Sequence, residues 1–324
     1  MSVPTPAPTG AFHYEFEVLQ GYFKQSENDT DDSEFDFLKE KFGLIDRTYP
    51  TDSSSTSSSQ WKHFAAHIRH LNQNSTTGES IKVLFLGRHG QGWHNVAETK
   101  YGTEAWDCKY SMLDGYDGIH WSDANLTELG QEQAKAVHAL WESELKEGIP
   151  TPETFYVSPL TRTIETADLS FKGLQFGDGR EYKPFIKELL REALGVHTCD
   201  RRSTASHILQ TFPHITLEAG FSDPDLLWEE DYREPRSART YRLGQLLDDI
   251  FETDDGVFLS LTSHSGAIGS ILEAVGHRAF SLQTGGVIPV LVRAKRVDEE
   301  RVKPAKEPSE GPPACKEALA ALAN

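Results

Sequence analysis

The sequence predicts an α/β fold, a three-layer sandwich built around a central, mostly parallel sheet. Three strand-like segments are each followed at once by a loop and a helical pattern, at residues 81–95, 154–167 and 256–275. Repeated strand, loop and helix is typical of a parallel sheet with helices on its faces. Sheets of this kind bind ligands beyond the carboxyl ends of their strands, and the conspicuous polar residues lie just there.

The individual elements follow from hydrophobic periodicity. Strands are predicted at 81–86 (IKVLFL), 154–157 (TFYV), the first part of 256–275 and 287–292 (VIPVLV), and amphipathic helices at 61–71, 127–145 and 239–252. The helix at 127–145 opens with a Thr-x-x-Gly turn. Residues 185–194 fit the edge of a strand or a helix, and Pro289 favours an edge position for the last strand because proline cannot donate to a sheet ladder.

Composition shifts divide the chain into three parts. Residues 1–60 form a polar N-terminal extension with an acidic run and a serine-rich stretch, which is expected to be a flexible loop or linker. Residues 61–293 carry the strand and helix patterns and form the main domain. Residues 294–324 are rich in Lys, Glu and Pro and are expected to be a mobile C-terminal tail.

The charge balance excludes several classes of partner. The 324 residues include 50 acidic and 32 basic side chains, so the net charge is −18. Such a surface repels nucleic acid and anionic membranes, and an anionic substrate needs a local basic pocket. No apolar run is long enough to cross a membrane, and no secretory signal is recognisable. Together with three widely spaced cysteines, these features predict a cytoplasmic protein; the oligomeric state cannot be read.

Three polar constellations follow the predicted strands. They are RHGQGWHN at 88–95, SPLTRTIETA at 158–167 and SHSG at 263–266. The glycines of the first loop are in the order G-x-x-G-x-G, which does not match the dinucleotide fingerprint, and no Gly-Lys-Ser/Thr of a phosphate-binding P-loop follows. Ser265 does not fit a nucleophile elbow, because position 263 is serine where glycine is required.

These three motifs, in this order and spacing, resemble those of the histidine phosphatase superfamily, the group that includes the cofactor-dependent phosphoglycerate mutases. The resemblance covers roughly residues 80 to 290. It implies a phosphoglycerate mutase-like fold, with 61–293 as the catalytic domain, and phosphoryl transfer through a phosphohistidine. It also implies the following catalytic residues: His89 as nucleophile, Arg88, Arg162 and His264 around the phosphate, and Glu192 as proton donor, with Glu188 as the alternative donor.

Further residues are predicted to bind substrate. Asn95 is expected at the rim of the pocket, although an asparagine after a glycine loop often caps a helix. Gly90 and Gln91 belong to the same loop, in which glycine lets the backbone approach a ligand closely. Arg201 and Arg202 either extend the pocket towards a second anionic group or lie in a solvated loop.

Physical chemistry supports these roles independently. A transferring phosphoryl group spreads negative charge over three oxygens, so the protein supplies mainly position and positive charge. Arginine donates forked hydrogen bonds to such oxygens. A histidine nucleophile must be neutral, and nearby guanidinium groups lower its pKa. The set is complete without a metal or any other cofactor.

We therefore expect a metal-independent phosphatase that hydrolyses a phosphate ester of a small soluble metabolite. Two alternatives stay open: phosphoryl transfer of the phosphoglycerate mutase type, and a non-catalytic phosphate-binding protein. The segment 96–126 is expected to form a lid whose contents decide between hydrolysis and transfer. The sequence does not identify the substrate.

Overall fold

A seven-stranded sheet organises the chain in the computed structural model, which describes residues 11–52, 59–177 and 179–310. The strands are β1 (His13–Val18), β2 (Glu79–Arg88), β3 (Gly115–Tyr116), β4 (Ile119–His120), β5 (Thr154–Val157), β6 (Pro184–Ile186), β7 (Thr216–Leu217), β8 (Phe258–Ser263) and β9 (Val287–Val297). The main sheet has the order β1-β9-β2-β8-β5-β6-β7, and β3 pairs with β4 in a separate hairpin. Five neighbouring strands, β2, β8, β5, β6 and β7, run parallel, as the sequence predicts.

Helices cover both faces of the sheet. They are α1 (Gln60–Gln73), α2 (Trp93–Tyr101), α3 (Thr103–Cys108), α4 (Glu128–Lys146), α5 (Thr161–Phe171), α6 (Ala205–Thr211), α7 (Arg236–Thr253) and α8 (Ser265–Ala274). Side chains alternate along β2, so Val83 and Phe85 pack with α1, α4 and α5, while Leu84 and Leu86 pack with α7 and α8. The predicted three-layer α/β architecture is confirmed.

Local sequence signals explain where the helices begin. The Thr127 side chain accepts a hydrogen bond from the backbone N–H of Gly130 and caps α4, as the Thr-x-x-Gly turn predicts. The strand predicted at 154–157 has the bounds of β5, whereas β2 extends beyond the predicted 81–86 at both ends. Residues 185–194 form no helix: β6 ends at Ile186, and a single 3-10 turn follows at Glu188–Leu190.

The segment predicted as an N-terminal extension contributes to the sheet and to the core. Strand β1 pairs antiparallel with β9, and Phe23 and Phe42 are fully buried. The ring of Phe23 lies 5.3 Å from that of Phe64 on α1. Apolar side chains within a mostly polar segment provide this packing, which average composition does not reveal. Residues 53–58 of the serine-rich stretch lie outside the described residues.

The last strand corrects one prediction. β9 lies between β1 and β2, so it is an interior strand and not an edge strand. Leu291 accepts a hydrogen bond from Leu19 at the end of β1, and β1 pairs with β9 only from Val292 onward. The backbone nitrogen of Pro289 therefore points to the β1 side of β9, at a position that β1 does not reach. Its missing N–H removes no hydrogen bond between strands there.

The region predicted as a mobile tail is partly structured. Residues 294–297 belong to β9. Beyond them, Arg301 forms a salt bridge with Asp248 on α7 and donates to the carbonyl of Tyr14 on β1. The contacts of 298–310 tie this segment to the domain, and residues 311–324 lie outside the described part of the chain. Among the helices of the described ranges, none has the length and apolar character needed to span a bilayer.

We predict that Phe23→Ala destabilises the whole domain. Removing a fully buried phenylalanine that packs on α1 leaves a cavity, and we expect the free energy of unfolding to fall by about 3–5 kcal/mol. Urea unfolding measures this loss. The control is Leu38→Ala, at a side chain that is 37% exposed, with an expected change of about 0.5 kcal/mol. Equal stability of Phe23→Ala and wild type would show that residues 11–52 do not share the core.

Candidate active site

The strand register brings the three polar motifs together. Arg88 at the end of β2 is paired with Ser263 at the end of β8, and Val157 at the end of β5 is paired with Thr262. Three adjacent parallel strands therefore end at one edge of the sheet. The loops that follow β2 and β8 carry His89 and His264, and Arg162 lies in the first turn of α5. This placement agrees with the expectation for ligand sites in parallel sheets.

His89 is buried and held in one orientation. Its backbone N–H donates to the carbonyl of Ser263 at 3.0 Å, and its ring Nδ1 lies 2.7 Å from the carbonyl oxygen of Gly90. A carbonyl only accepts, so Nδ1 carries the proton and Nε2 has the free lone pair. Burial, followed by the charge of Arg162, holds the pKa of His89 well below its usual range. The ring is therefore neutral and nucleophilic at neutral pH.

Two arginines, the buried Arg162 and the half-buried Arg88, lie near this histidine. Arg88 donates from Nη1 to the carbonyl of Leu282 at 2.7 Å. Arg162 donates from Nη1 to the carbonyl of Cys199 at 2.6 Å and from Nη2 to Asp200 at 2.9 Å. The Nε atoms of both arginines are buried, and neither has a hydrogen-bond partner among the described residues. Buried N–H groups normally have partners, and since Arg88 and Arg162 both line the cavity that His89 lines, these two Nε groups are candidate donors to an anion.

His264 completes the floor of the site. Its ring centroid lies 5.1 Å from that of His89, and its Nε2 is 2.8 Å from the hydroxyl oxygen of Ser158. Burial, followed by the charge of Arg162, lowers the pKa of His264 well below the usual value. Its Nδ1 is buried and has no hydrogen-bond partner in the described part of the chain.

The structure separates the two candidate proton donors. Glu192 lines the same cavity as His89 and accepts a hydrogen bond at 2.8 Å from the backbone N–H of Gly266, in the first turn of α8. The carboxylate of Glu188 instead accepts hydrogen bonds from Arg191 and Arg202 and does not line the cavity.

A cavity of about 280 Å³ opens over His89. Four of the five predicted catalytic residues, Arg88, His89, Arg162 and Glu192, line it, and His264 lies against His89 beneath it. The wall also includes His94, Asn95, Glu98, Trp106, Asp107, His197, Cys199, Asp200, Arg233, Arg239, Ser265 and Gly266. The site is thus a small, strongly polar cavity.

The predicted substrate-binding residues of the first loop have different positions. Asn95 lines the cavity and also accepts from the backbone N–H of Gly92, which caps α2. Gly90 packs against α4, where an added Cβ would lie 2.3 Å from the carbonyl oxygen of Gly130. The Gln91 side chain accepts a hydrogen bond from Thr127. Neither Gly90 nor Gln91 lines the cavity, since their loop is fixed by its contacts with α4.

Arg201 and Arg202 also lie away from the cavity. Arg201 forms a salt bridge with Asp114 and stacks over Trp228. The Arg202 guanidinium is fully buried, where it binds both oxygens of Glu188 and the surrounding backbone carbonyls. The structure therefore does not bring these arginines to the site; they support the loops around it.

Asp200 and Arg233 are cavity residues that the sequence analysis did not identify. Asp200 accepts from Arg162 through one oxygen and from Arg233 through the other, at 2.9 and 2.8 Å. Burial acts to raise the pKa of Asp200, but Arg233 and Arg162 hold it at about 2. Asp200 belongs to the short 3-10 turn at Thr198–Asp200, which lies outside the three motifs. Arg233 belongs to none of the three motifs, and no local pattern marks it.

Part of the segment predicted to form a lid lines the cavity. Within 96–126, Glu98, Trp106 and Asp107 line the cavity. Burial, followed by the carboxylate of Glu98, raises the pKa of Asp107. These carboxyl groups lie near arginines of the same cavity, since the charge of Glu98 acts on Arg88 and that of Arg233 acts on Asp107.

One group of side chains in the described ranges has the spacing of metal ligands: His197, Cys199 and Asp200. Both Asp200 oxygens already accept hydrogen bonds from arginines. Burial, followed by the charge of Asp200, keeps the pKa of the Cys199 thiol well above its usual value, whereas a metal binds the thiolate. The donors present do not suit a cation.

Comparisons with known proteins identify the family. A profile described as histidine phosphatase superfamily (branch 1) matches residues 115–283, more than half of the chain. The match includes Arg162 and His264, while Arg88 and His89 lie before it. A protein of Arthroderma benhamiae named probable phosphoglycerate mutase is 49% identical over 281 residues, which cover 86% of this chain and 84% of that protein. The chain belongs to the histidine phosphatase superfamily.

More distant proteins share parts of this similarity. The Saccharomyces cerevisiae protein named probable phosphoglycerate mutase PMU1 is 32% identical over 276 residues, covering 79% of this chain and 92% of the relative. A solved Escherichia coli structure, described as a putative alpha-ribazole-5'-P phosphatase, is 18% identical with a TM-score of 0.40. It covers 68% of this chain and 98% of that one. Named mutases and a phosphatase thus occur among the similar proteins.

We predict that the His89 ring stays neutral below the ordinary histidine pKa of about 6.5. Its lowered pKa means that the uncharged form is present above the folded-state value and persists as the pH falls through 6.5. Nitrogen-15 NMR of the imidazole groups measures this, with His89 assigned by the signal lost in His89→Asn and free imidazole as internal reference. A titration midpoint of His89 at or above that of free imidazole would contradict the burial argument.

Proposed function

We propose that this protein is a metal-independent phosphatase that hydrolyses a phosphate ester of a small soluble metabolite through a phosphohistidine at His89. The observation that carries the proposal is the neutral, buried His89 between two arginines whose Nε groups have no partner in the described structure. Membership of the superfamily supports the same chemistry.

The first step forms the covalent intermediate. The lone pair on Nε2 of His89 attacks phosphorus, and the bond from phosphorus to the ester oxygen breaks. Glu192, protonated at this stage, gives its proton to the departing oxygen so that an alcohol leaves. Arg88 and Arg162 donate to the equatorial oxygens, where the charge of the transition state accumulates.

The second step returns the enzyme to its starting state. The Glu192 carboxylate takes a proton from water, and the water oxygen attacks the phosphorus of the phosphohistidine. The bond between phosphorus and Nε2 breaks, inorganic phosphate leaves, and His89 is neutral again. The backbone N–H of Gly266 holds Glu192 in place through both steps.

The cavity supports a small substrate with one phosphate. Its volume of about 280 Å³ accommodates a phosphoryl group with a modest organic part. Its wall includes four arginines and four carboxyl groups, so little unpaired positive charge remains for a second anionic group beyond the phosphate. A phosphoglycerate carries a carboxylate in addition to its phosphate, so this wall favours hydrolysis of another ester over mutase-type transfer.

Transfer of the phosphoglycerate mutase type is the second candidate, because the relatives are named probable phosphoglycerate mutases. In that reaction the phosphohistidine gives its phosphoryl group to a second hydroxyl and not to water. A non-catalytic phosphate-binding protein is the third candidate. It requires the same arginine pocket but no turnover.

We predict that His89→Ala lowers the turnover of p-nitrophenyl phosphate at least about 1,000-fold, because the nucleophile is lost. Release of p-nitrophenol is the measurement, with EDTA present throughout to remove metal ions. The matched control is His207→Ala, an exposed histidine on α6 outside the cavity, which should keep the wild-type rate. Wild-type activity in His89→Ala would disprove the mechanism.

Product analysis then separates the three candidates. Hydrolysis releases one inorganic phosphate per ester consumed, from a panel of phosphorylated metabolites. The mutase reaction moves the phosphate of phosphoglycerate between positions with little free phosphate. Thermal stabilisation by phosphate without turnover of any ester would leave only the binding protein.

We predict that Glu192→Gln slows the reaction in a way that depends on the leaving group. Glutamine cannot donate the proton, so kcat for an alkyl phosphate should fall about 100- to 10,000-fold. The loss should be much smaller for p-nitrophenyl phosphate, whose leaving group departs without an acid. Glu188→Gln is the control and should show no such dependence. Equal losses for both esters in Glu192→Gln would exclude Glu192 as the acid.

A further inference from the structure

The end of the described chain packs against the segment that carries Arg233. We call residues 306–310 the C-terminal strap. The hydroxyl oxygen of Ser309 accepts from the backbone N–H of Arg233 at 2.9 Å, and the N–H of Glu310 donates to the Arg233 carbonyl at 2.9 Å. Both backbone groups of Arg233 are thus held by the strap.

Neighbouring contacts strengthen this attachment. The Tyr232 hydroxyl donates to the carbonyl of Glu307 at 3.0 Å, and the Nζ atom of Lys306 lies 4.7 Å from the centre of the Tyr232 ring. The Ser237 hydroxyl donates to the Glu307 carboxylate. The strap therefore contacts the chain on both sides of Arg233.

The Arg233 side chain leads from this surface contact into the active-site cavity. Its Nη1 donates to the carbonyls of Ala193 and Gly195 at 2.9 Å, on the segment that carries Glu192. The same atom donates to Asp200, whose other oxygen binds Arg162. One guanidinium thus contacts the loop of the proposed acid and, through Asp200, fixes a proposed phosphate ligand.

Backbone contacts couple the same two segments. Val196 donates to the carbonyl of Glu229 at 2.8 Å, and Glu234 donates to the carbonyl of Leu194 at 2.8 Å. Gly195 has a φ of +84°, and a Cβ there would lie 1.8 Å from the Tyr232 carbonyl oxygen. The close approach leaves little freedom for residues 229–234 to move without moving the loop after Glu192.

We propose that Arg233 is a positioning residue for phosphate binding and that the C-terminal strap holds it in place. In this arrangement the strap restrains the Arg233 backbone, Arg233 restrains Asp200, and Asp200 orients Arg162. Release of the strap would loosen the phosphate pocket from outside without removing any group that contacts the ligand. This inference rests on the proposed function in that the cavity must bind phosphate.

The test compares two double variants of the full chain. Ser309→Ala with Glu310→Pro removes the hydroxyl and the N–H that hold Arg233. The matched control, Ser309→Thr with Glu310→Ala, keeps both groups. Loss of these two hydrogen bonds should be transmitted in part to the pocket and weaken inorganic phosphate binding at least about threefold. Isothermal titration calorimetry measures the Kd, and Arg233→Ala should show a larger loss in the same direction.

The controls separate positioning from general destabilisation. Phe23→Ala weakens the core far from the strap and should bind phosphate with the wild-type Kd under folding conditions. Binding by Ser309→Thr with Glu310→Ala should also equal that of the wild type. If Ser309→Ala with Glu310→Pro binds phosphate with the wild-type Kd while turnover still depends on His89, the proposed role of the strap is wrong. The proposed function is unaffected by that result. A wild-type protein that binds no phosphate overturns both.

Discussion

The geometry of the site depends on the pair of hydrogen bonds that the Asp200 carboxylate accepts from Arg162 and Arg233. The carboxylate is buried between Arg162 and Arg233, and each of its oxygens accepts from one of them. A buried charge of this kind is tolerated only while its partners stay in place, since loss of one partner costs about 3–5 kcal/mol. The carboxylate therefore locks two guanidinium groups from distant parts of the chain into one arrangement.

These contacts fix the orientation of the Arg162 guanidinium. Its two Nη atoms are occupied by the Cys199 carbonyl and by Asp200, so the plane of the guanidinium cannot rotate. Its Nε is buried and has no protein partner in the described ranges. Preorganised donors of this type need no rearrangement when charge develops on a ligand. Asp200 and Arg233, which lie outside the motif at 158–167, thus determine how Arg162 is oriented.

The sheet supplies the second constraint. Parallel pairing of β2, β8 and β5 sets three strand ends side by side, with Arg88 opposite Ser263 and Val157 opposite Thr262. The local order of strand, loop and helix is visible in the sequence, so the three motifs and their meeting point were predictable. The preference for Glu192 as proton donor stays a prediction, and the ion pairs that occupy Glu188 could not be read from the sequence.

What the sequence did not reveal depends on contacts between distant residues. Arg202 and Arg233 are both arginines in polar surroundings, yet one is fully engaged beneath a loop and the other reaches the cavity. Only the fold decides between them. The same holds for Phe23, which lies in a segment of polar average composition but packs on α1, and for Pro289, which is compatible with an interior strand because β1 ends before it.

The charges around the cavity bear on how it selects a ligand. The chain has a net charge of −18, and most cavity arginines face a carboxylate: Arg162 and Arg233 share Asp200, while Arg239 lies 3.8 Å from Glu192. The pocket is therefore not a region of large excess positive charge that would attract any anion. Recognition must come from directed hydrogen bonds at one point, beside His89. Under the proposed function, this near balance of charges favours a single phosphate on an uncharged or cationic body over a molecule with several anionic groups.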